Sequence, residues 1–295
     1  MAHKHNVDGL INLLACPQCG GRQLDVKTAE LECIDCRVVY PVSDGVPIFI
    51  TNPQEIKVMP LDHVSNQPPQ EIINYLKELN GYSLNIGAGS TATKIPQCVE
   101  LEYSIHRNTA IVGDAHCLPF KDEVFDTVVS FNTFEHLYDP FAAAKEILRV
   151  LKPGGKVVIH TAFLQPLHEE PWHYYNATKH GVLKWFSKFD IETCKVSENF
   201  NPAFTLGWLS HDILYYVREA FGLEASNKLA KTTLDDWSKI WSNPSDRSGF
   251  LWEILVNLPQ SIQEKFSAGF EIKATKPVKI SSYQPQMLSP LNATP

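Results

Sequence analysis

The 295-residue chain has no run approaching the roughly 18 to 20 uninterrupted apolar residues that a membrane helix needs, so a helical span across a bilayer is excluded. Its start, MAHKHNVDGLINLLACPQCG, lacks the apolar stretch and cleavage site of an export signal, and the expected location is cytoplasmic. The chain is also short of positive charge: 26 Lys and Arg stand against 33 Asp and Glu, a formal net charge of -7. Affinity for nucleic acid grows with the number of phosphates neutralised, so a chain without a broad basic field is disfavoured as a nucleic-acid binder. A small-molecule, glycan or lipid substrate fits better, and a protein partner or a homodimer stays compatible. No internal repeat is found.

What is present is enough apolar material, 44% of residues, for a full α/β core and a small accessory module. There are seven cysteines, an odd number, and four of them fall in two tight pairs. In a reducing compartment that pattern points to metal rather than to disulfides. Cys98, Cys117 and Cys194 lie singly in apolar segments and read as small buried hydrophobes.

Cys16-Pro17-Gln18-Cys19 and Cys33-Ile34-Asp35-Cys36 form two CxxC knuckles separated by thirteen residues. Two such turns supply the four soft thiolates of a closed tetrahedral zinc site, with no open position for chemistry. Gly20-Gly21 relieves crowding around the metal. The competing reading, a pair of redox motifs, lacks the βαβ context it needs. The segment from Leu14 through the knuckles to Arg37-Val38-Val39-Tyr40-Pro41-Val42-Ser43-Asp44-Gly45-Val46-Pro47 resembles the Trm112-like zinc ribbons. The resemblance implies a ribbon that packs on a methyltransferase domain and stabilises it, here fused in cis.

The expected organisation is a β-rich ribbon at 1–50, a proline-interrupted linker at 51–70, a main domain at 71–280 and a polar tail at 281–295. Apolar runs alternate with helical patterns in βαβ order, which predicts a parallel, doubly wound sheet covered on both faces. The predicted strands are Ser83 to Ile86, Cys98 to Leu101, Ala110 to Val112, Thr127 to Ser130 and Lys156 to His160. Helices are predicted at Glu71 to Leu79, Phe141 to Leu151, Gly181 to Lys188, Ser210 to Phe221 and within Leu234 to Phe266. Lys152-Pro153-Gly154-Gly155 is read as the stop of the second.

Asn85-Ile86-Gly87-Ala88-Gly89 places a glycine turn at a strand end, where backbone can approach a ligand. Glu102, Gly113-Asp114-Ala115, Phe125-Asp126, Asn132 and Glu135-His136 follow at the ends of successive predicted strands. With Leu118-Pro119-Phe120 and Leu148 to Gly155, the stretch from Leu84 to Leu164 resembles class I S-adenosylmethionine-dependent methyltransferases of the type 11 group, which have a Rossmann-like sheet. The resemblance implies a cofactor site of Asn85, Gly87, Ala88, Gly89, Glu102, Asp114, Ala115 and Asn132. Glu102 would accept from the ribose hydroxyls and Asp114 from the adenine amino group, tasks that suit an ionised, acceptor-only carboxylate.

The chain departs from that group's pattern at Asn85, where an acid is usual, at Ala92, where a third glycine is common, and at Lys94-Ile95-Pro96, which replaces a full first helix. Glu100, on the same face as Glu102, is a second candidate for the ribose. A nicotinamide site wants the third glycine, the helix and an acid about twenty residues on, and the chain has none of them.

Methyl transfer from a sulfonium needs alignment more than covalent catalysis, with a base only for a protonated acceptor. His136 after the fourth strand and His173 after the fifth are the candidate bases, with His168, Tyr174 and Tyr175 as candidate lining of the acceptor pocket. Two alternatives stay open: an RNA or translation-factor acceptor, and a catalytically silent scaffold on the same fold.

Overall fold

The computed structural model describes residues 7–50, 56–63, 65, 67–273 and 275. The linker prolines beginning at Asn52-Pro53 and the tail at 281–295 fall partly or wholly outside the described residues. After a single helical turn, α1 (Val7–Leu10), four short antiparallel strands run in sequence order: β1 (Leu24–Val26), β2 (Glu30–Cys33), β3 (Val39–Ser43) and β4 (Val46–Pro47). Asp44-Gly45, both at positive φ, turns β3 into β4.

The main sheet is parallel throughout, in the order β7-β6-β5-β8-β9. Its strands are β5 (Ser83–Ile86), β6 (Cys98–Glu102), β7 (Ile111–Val112), β8 (Phe125–Phe131) and β9 (Leu151–His160). On β5, Leu84 and Ile86 enter one buried cluster, and the intervening Asn85 turns to the opposite face. That opposite face is covered by α2 (Gln70–Glu78) through Ile72, Ile73 and Leu76, with Ile95. The first face is covered by α3 (Pro140–Val150) and by residues 115–120.

The βαβ alternation holds once among the described residues, at β8-α3-β9. The connections β5 to β6, β6 to β7 and β7 to β8 carry turns and no helix. Ribbon residues occupy part of the space instead: Leu13, Leu14, Leu31, Tyr40 and Phe49 share one core with Leu84, Val99, Leu101, Phe120, Phe125 and Ile147. The backbone is stitched as well, Ala15 N donating to Pro119 O at 3.0 Å, Lys121 N to Leu13 O at 2.8 Å and Phe49 N to Val112 O at 2.8 Å. The last of these, with the Ile48–Val112 bridge, covers the edge strand β7.

Lys152-Pro153-Gly154-Gly155 also differs from expectation. Helix α3 ends at Val150, and the four residues fall inside β9 at a register shift, Phe125 pairing with Leu151 and Thr127 with Lys156. Gly154 takes φ +77, the left-handed conformation that favours glycine. Cys117 is exposed and Cys98 and Cys194 are partly so, against the reading of all three as buried hydrophobes.

The chain divides into two compact units: residues up to Phe163 with Tyr174–Lys195, and Leu164–His173 with the residues from Val196 on. Ribbon and sheet thus lie in one unit, together with α4 (Lys179–Trp185). The second unit is helical: α5 (Pro202–Phe221), α6 (Leu223–Leu229), α7 (Leu234–Ser242), α8 (Phe250–Val256) and α9 (Gln260–Phe266). Val217, Leu229, Ile254 and Leu258 form its core. Helix α5 begins eight residues before the predicted Ser210, capped by Asn201, whose side chain accepts from Ala203 N, with Pro202 in the first turn. No described helix is long and apolar enough to cross a membrane.

Candidate cofactor site and metal centre

Strand order reverses at β5, whose neighbours are β6 on one side and β8 on the other, and the glycine turn leaves β5 at this switch point. Gly87 and Gly89 both take positive φ, +68 and +62. A Cβ on Gly87 would meet Thr133 Oγ1 at 2.1 Å, and one on Gly89 would meet Ser65 at 2.6 Å. Conformation and space therefore both demand glycine at these positions. Ala88, between them, is buried.

Glu102, at the C-terminal end of β6, reaches this turn. Its Oε1 accepts from Gly89 N–H at 2.5 Å and its Oε2 from Tyr103 N–H at 3.0 Å. Burial raises its carboxyl and the two N–H donors oppose that rise. Glu100 faces elsewhere: both of its oxygens accept from the Thr91 hydroxyl, at 2.7 and 2.9 Å, and burial pushes it up to about 7. Asn85, Thr91 and Glu100 line a cavity of about 10 Å³ under the sheet. Glu102, not Glu100, is thus the carboxylate at the glycine turn.

Among the described residues, two buried amide oxygens near the strand ends have no hydrogen-bond partner, Oδ1 of Asn85 and Oδ1 of Asn132. Asn132 sits at φ +53 just after β8, its N–H donating to His160 O at 3.0 Å. A buried acceptor left unpaired costs on the order of 1–3 kcal/mol; Asn132 Oδ1 lies at the strand end, whereas Asn85 Oδ1 is on the α2 face of the sheet with Thr91 and Glu100, away from the glycine turn.

Asp114 follows β7 and is held by His116. Its Oδ1 accepts from His116 N at 2.9 Å and pairs with His116 Nδ1 at 2.5 Å. Burial alone would raise this carboxyl, but the ring and main-chain hydrogen bonds from His116 overcome it and hold Asp114 below the usual range. Ala115, next in sequence, is buried in the core shared with the sheet. Reasoning from sequence did not single out His116, because its other partners lie more than twenty residues away.

His136 is partly buried in a 3-10 turn, Phe134–His136, that follows β8. Its neighbour Glu135 is fully buried; Oε2 accepts from the Thr161 hydroxyl at 3.0 Å and Oε1 has no hydrogen-bond partner among the described residues. Burial pushes this carboxyl up to about 7. The Glu135 main-chain oxygen accepts from Tyr174 N and Tyr175 N at 2.8 and 3.1 Å, placing the tyrosine pair of the sequence reading beside it. His173 and His168 belong to the other compact unit, where their rings meet edge to face at 4.3 Å.

The four sulfurs of Cys16, Cys19, Cys33 and Cys36 lie within 4.8 Å of one another. The Cys16–Cys36 and Cys19–Cys33 pairs are at 3.7 and 3.6 Å. Zinc–sulfur bonds of about 2.3 Å at the tetrahedral angle put sulfurs roughly 3.8 Å apart, so the donor set fits zinc in type and spacing. Tyr40 sets its hydroxyl 3.0 Å from Cys16 Sγ, and Gly21 N donates to Cys19 Sγ at 3.4 Å. A Cβ on Gly21 would lie 3.0 Å from Cys33 Sγ and 3.2 Å from Cys19 Sγ, so Gly21 relieves crowding at the cluster; at Gly20 a Cβ would meet nothing within 4 Å, and its positive φ of +73 is what favours glycine there.

Residues 86–159 match the family described as Methyltransferase domain, and residues 8–45 match the family described as Trm112p-like protein. The chloroplastic tocopherol O-methyltransferase of Arabidopsis thaliana is 28% identical over 185 residues, 61% of this chain and 45% of that protein. The demethylmenaquinone methyltransferase of Streptomyces griseus subsp. griseus is 50% identical over 54 residues, 18% of this chain and 23% of that protein. The chain thus spans less than half the length of these two relatives. A solved complex between the Haloferax volcanii Trm112 methyltransferase activator and a methyltransferase aligns at 18% identity with a TM-score of 0.28, covering 44% of this chain and 76% of that one, too loose a superposition to argue from. Two separate stretches of one chain are thus similar to known families, residues 86–159 to a methyltransferase domain and residues 8–45 to a Trm112p-like protein.

Proposed function

We propose that this chain binds S-adenosylmethionine at the C-terminal ends of β5, β6 and β7 and transfers its methyl group to a small-molecule, glycan or lipid acceptor. The observation that carries the reading is the Glu102 carboxylate set against the Gly87–Gly89 turn at the switch point of the sheet. The acceptors suit the ligand: carboxylates at Glu102 and Asp114 for ribose hydroxyls and an adenine amino group, and the amide oxygen of Asn132 for a further N–H or O–H donor. Gly87, Ala88 and Gly89 present backbone without side-chain bulk, which lets a ligand approach the turn closely. When bound, S-adenosylmethionine supplies a methyl group on a sulfonium, already activated for in-line displacement. The chain's part is alignment and a proton acceptor where the acceptor atom carries a proton. His136 keeps the role of candidate base.

The two relatives are named for tocopherol and demethylmenaquinone, which favours a small-molecule or lipid acceptor over RNA. The four-thiol cluster is assigned zinc with a purely structural role. Incubation with S-adenosylmethionine labelled in its methyl group and fractionated small-molecule and lipid extracts tests the activity. Label in an extractable product supports it; label only in RNA, or none with any fraction, contradicts it.

A further inference from the structure

His116 occupies a position that neither family resemblance nor comparison assigns. Its ring makes directed contacts on both edges. Nε2 accepts from the Asp139 N–H at 3.2 Å, and a backbone N–H can only donate, so Nε2 carries the lone pair. The proton of the neutral ring therefore sits on Nδ1, where it is donated to Asp114 Oδ1 at 2.5 Å. Asp139 is itself fixed as the N-cap of α3, its side chain accepting from Ala142 N at 3.0 Å with Pro140 following. The imidazole face stacks on Tyr138, centroids 3.9 Å apart at 23°, and the side chain is only 9% exposed. Both hydrogen bonds from His116, ring and main chain, fall on Oδ1, so they fix the carboxylate plane and leave Oδ2 as the oxygen to meet a ligand.

We propose that His116 is a positioning residue for nucleobase recognition: held in one tautomer by the start of α3, it orients Asp114 so that this carboxylate selects a base carrying an exocyclic amino group over one carrying a carbonyl. This inference rests on the S-adenosylmethionine reading above and goes beyond it. An unanchored carboxylate would rotate to meet either ligand through water. An anchored acceptor-only group faces a carbonyl oxygen with like polarity and rejects it. The device also couples base recognition to the N-terminus of α3, since the residue that caps the helix sets the tautomer.

The test compares binding of S-adenosylhomocysteine with that of S-inosylhomocysteine, which differs in a carbonyl for the amino group, by isothermal titration. The wild type is expected to favour the adenine ligand by at least tenfold. His116→Leu, which keeps bulk and removes both ring nitrogens, should weaken the adenine ligand by roughly tenfold and leave the inosine ligand unchanged, collapsing the preference. His116→Asn, whose Nδ2 stands where Nδ1 stood and donates as it does, should restore most of it. Equal weakening of both ligands by His116→Leu, or a preference unchanged in it, overturns the proposal while leaving the cofactor reading intact. So does a preference that His116→Asn fails to restore while its thermal midpoint matches the wild type. A wild type that binds neither ligand overturns the cofactor reading and this proposal with it.

Discussion

Glu102 and Gly89 are joined directly, carboxylate Oε1 to backbone N–H at 2.5 Å, so the residue expected to hold the ribose also sets the shape of the glycine turn. Replacing Glu102 by Ala removes an acceptor for the ligand and the anchor of the turn together. Affinity for S-adenosylhomocysteine should fall by at least tenfold, a charge-assisted bond being worth roughly 1.5–3 kcal/mol. Glu102→Gln keeps an acceptor for Gly89 and should lose less. Titration of the two variants checks the order, and equal affinities for both would detach Glu102 from the ligand.

Gly87 tests the turn from the other side. Ala at this position would take φ +68 and set its Cβ 2.1 Å from Thr133 Oγ1, so Gly87→Ala should destabilise by at least about 2 kcal/mol in urea denaturation. Thr133→Gly in the same chain removes the clash but not the backbone strain, and should recover part of the loss. Full tolerance of Gly87→Ala would contradict the turn geometry.

Much of this part of the chain is legible in the sequence, because the determinants are local. The bounds of β5 at Ser83–Ile86 and the missing helix after it follow from an apolar run, two glycines and Pro96 within fifteen residues. The absence of helices on either side of β7 was not legible. The space beside the sheet there is filled by Leu13, Leu14 and Phe49, about a hundred residues upstream or more than sixty, and no periodicity reports a contact at that range. Asn201-Pro202 did announce the start of α5 and was overlooked as a cap followed by proline. In the candidate site, Glu102 and Asp114 stand at strand ends, and it is the resemblance to the type 11 group that singles them out in the sequence. His116 and Glu135 were not given roles, since what distinguishes them is a tautomer set by Asp139 and an oxygen left unpaired beside Thr161.

The shared core predicts that zinc stabilises more than the ribbon. Protein purified without added metal should hold close to one zinc, and Cys33→Ser should lose it. Because Cys16, Cys33 and Tyr40 pack in one cluster with Leu84, Phe120 and Phe125, chelation should lower the melting of ribbon and sheet as a single calorimetric transition. A sheet transition that stays in place while zinc is stripped would contradict the common core.

Glu100 predicts a pH dependence whose sign is opposite to that of a salt-bridged acid. Burial raises its carboxyl to about 7, so the fold favours the protonated form. The stability this contributes is full below the unfolded value, near 4.5, and is lost as pH rises through about 7. Glu100→Gln, neutral at every pH and still able to accept from Thr91, should match the wild type near pH 4 and exceed it by up to about 3 kcal/mol near pH 8. Denaturant unfolding of both proteins at the two pH values checks it, and a difference that shrinks with rising pH would reverse the assignment.

The central claim is that the turn at Gly87–Gly89, with Glu102 and Asp114, is a site for S-adenosylmethionine. Isothermal titration of the zinc-loaded wild-type chain with S-adenosylmethionine and S-adenosylhomocysteine addresses it without knowledge of the methyl acceptor. Saturable binding of each at one site per chain is expected, weakened at least tenfold in Glu102→Ala and less in Asp114→Ala, where one bond to the amino group is lost and stacking of the base remains. Folded, zinc-loaded protein that gives no binding heat at several temperatures with either ligand would contradict it.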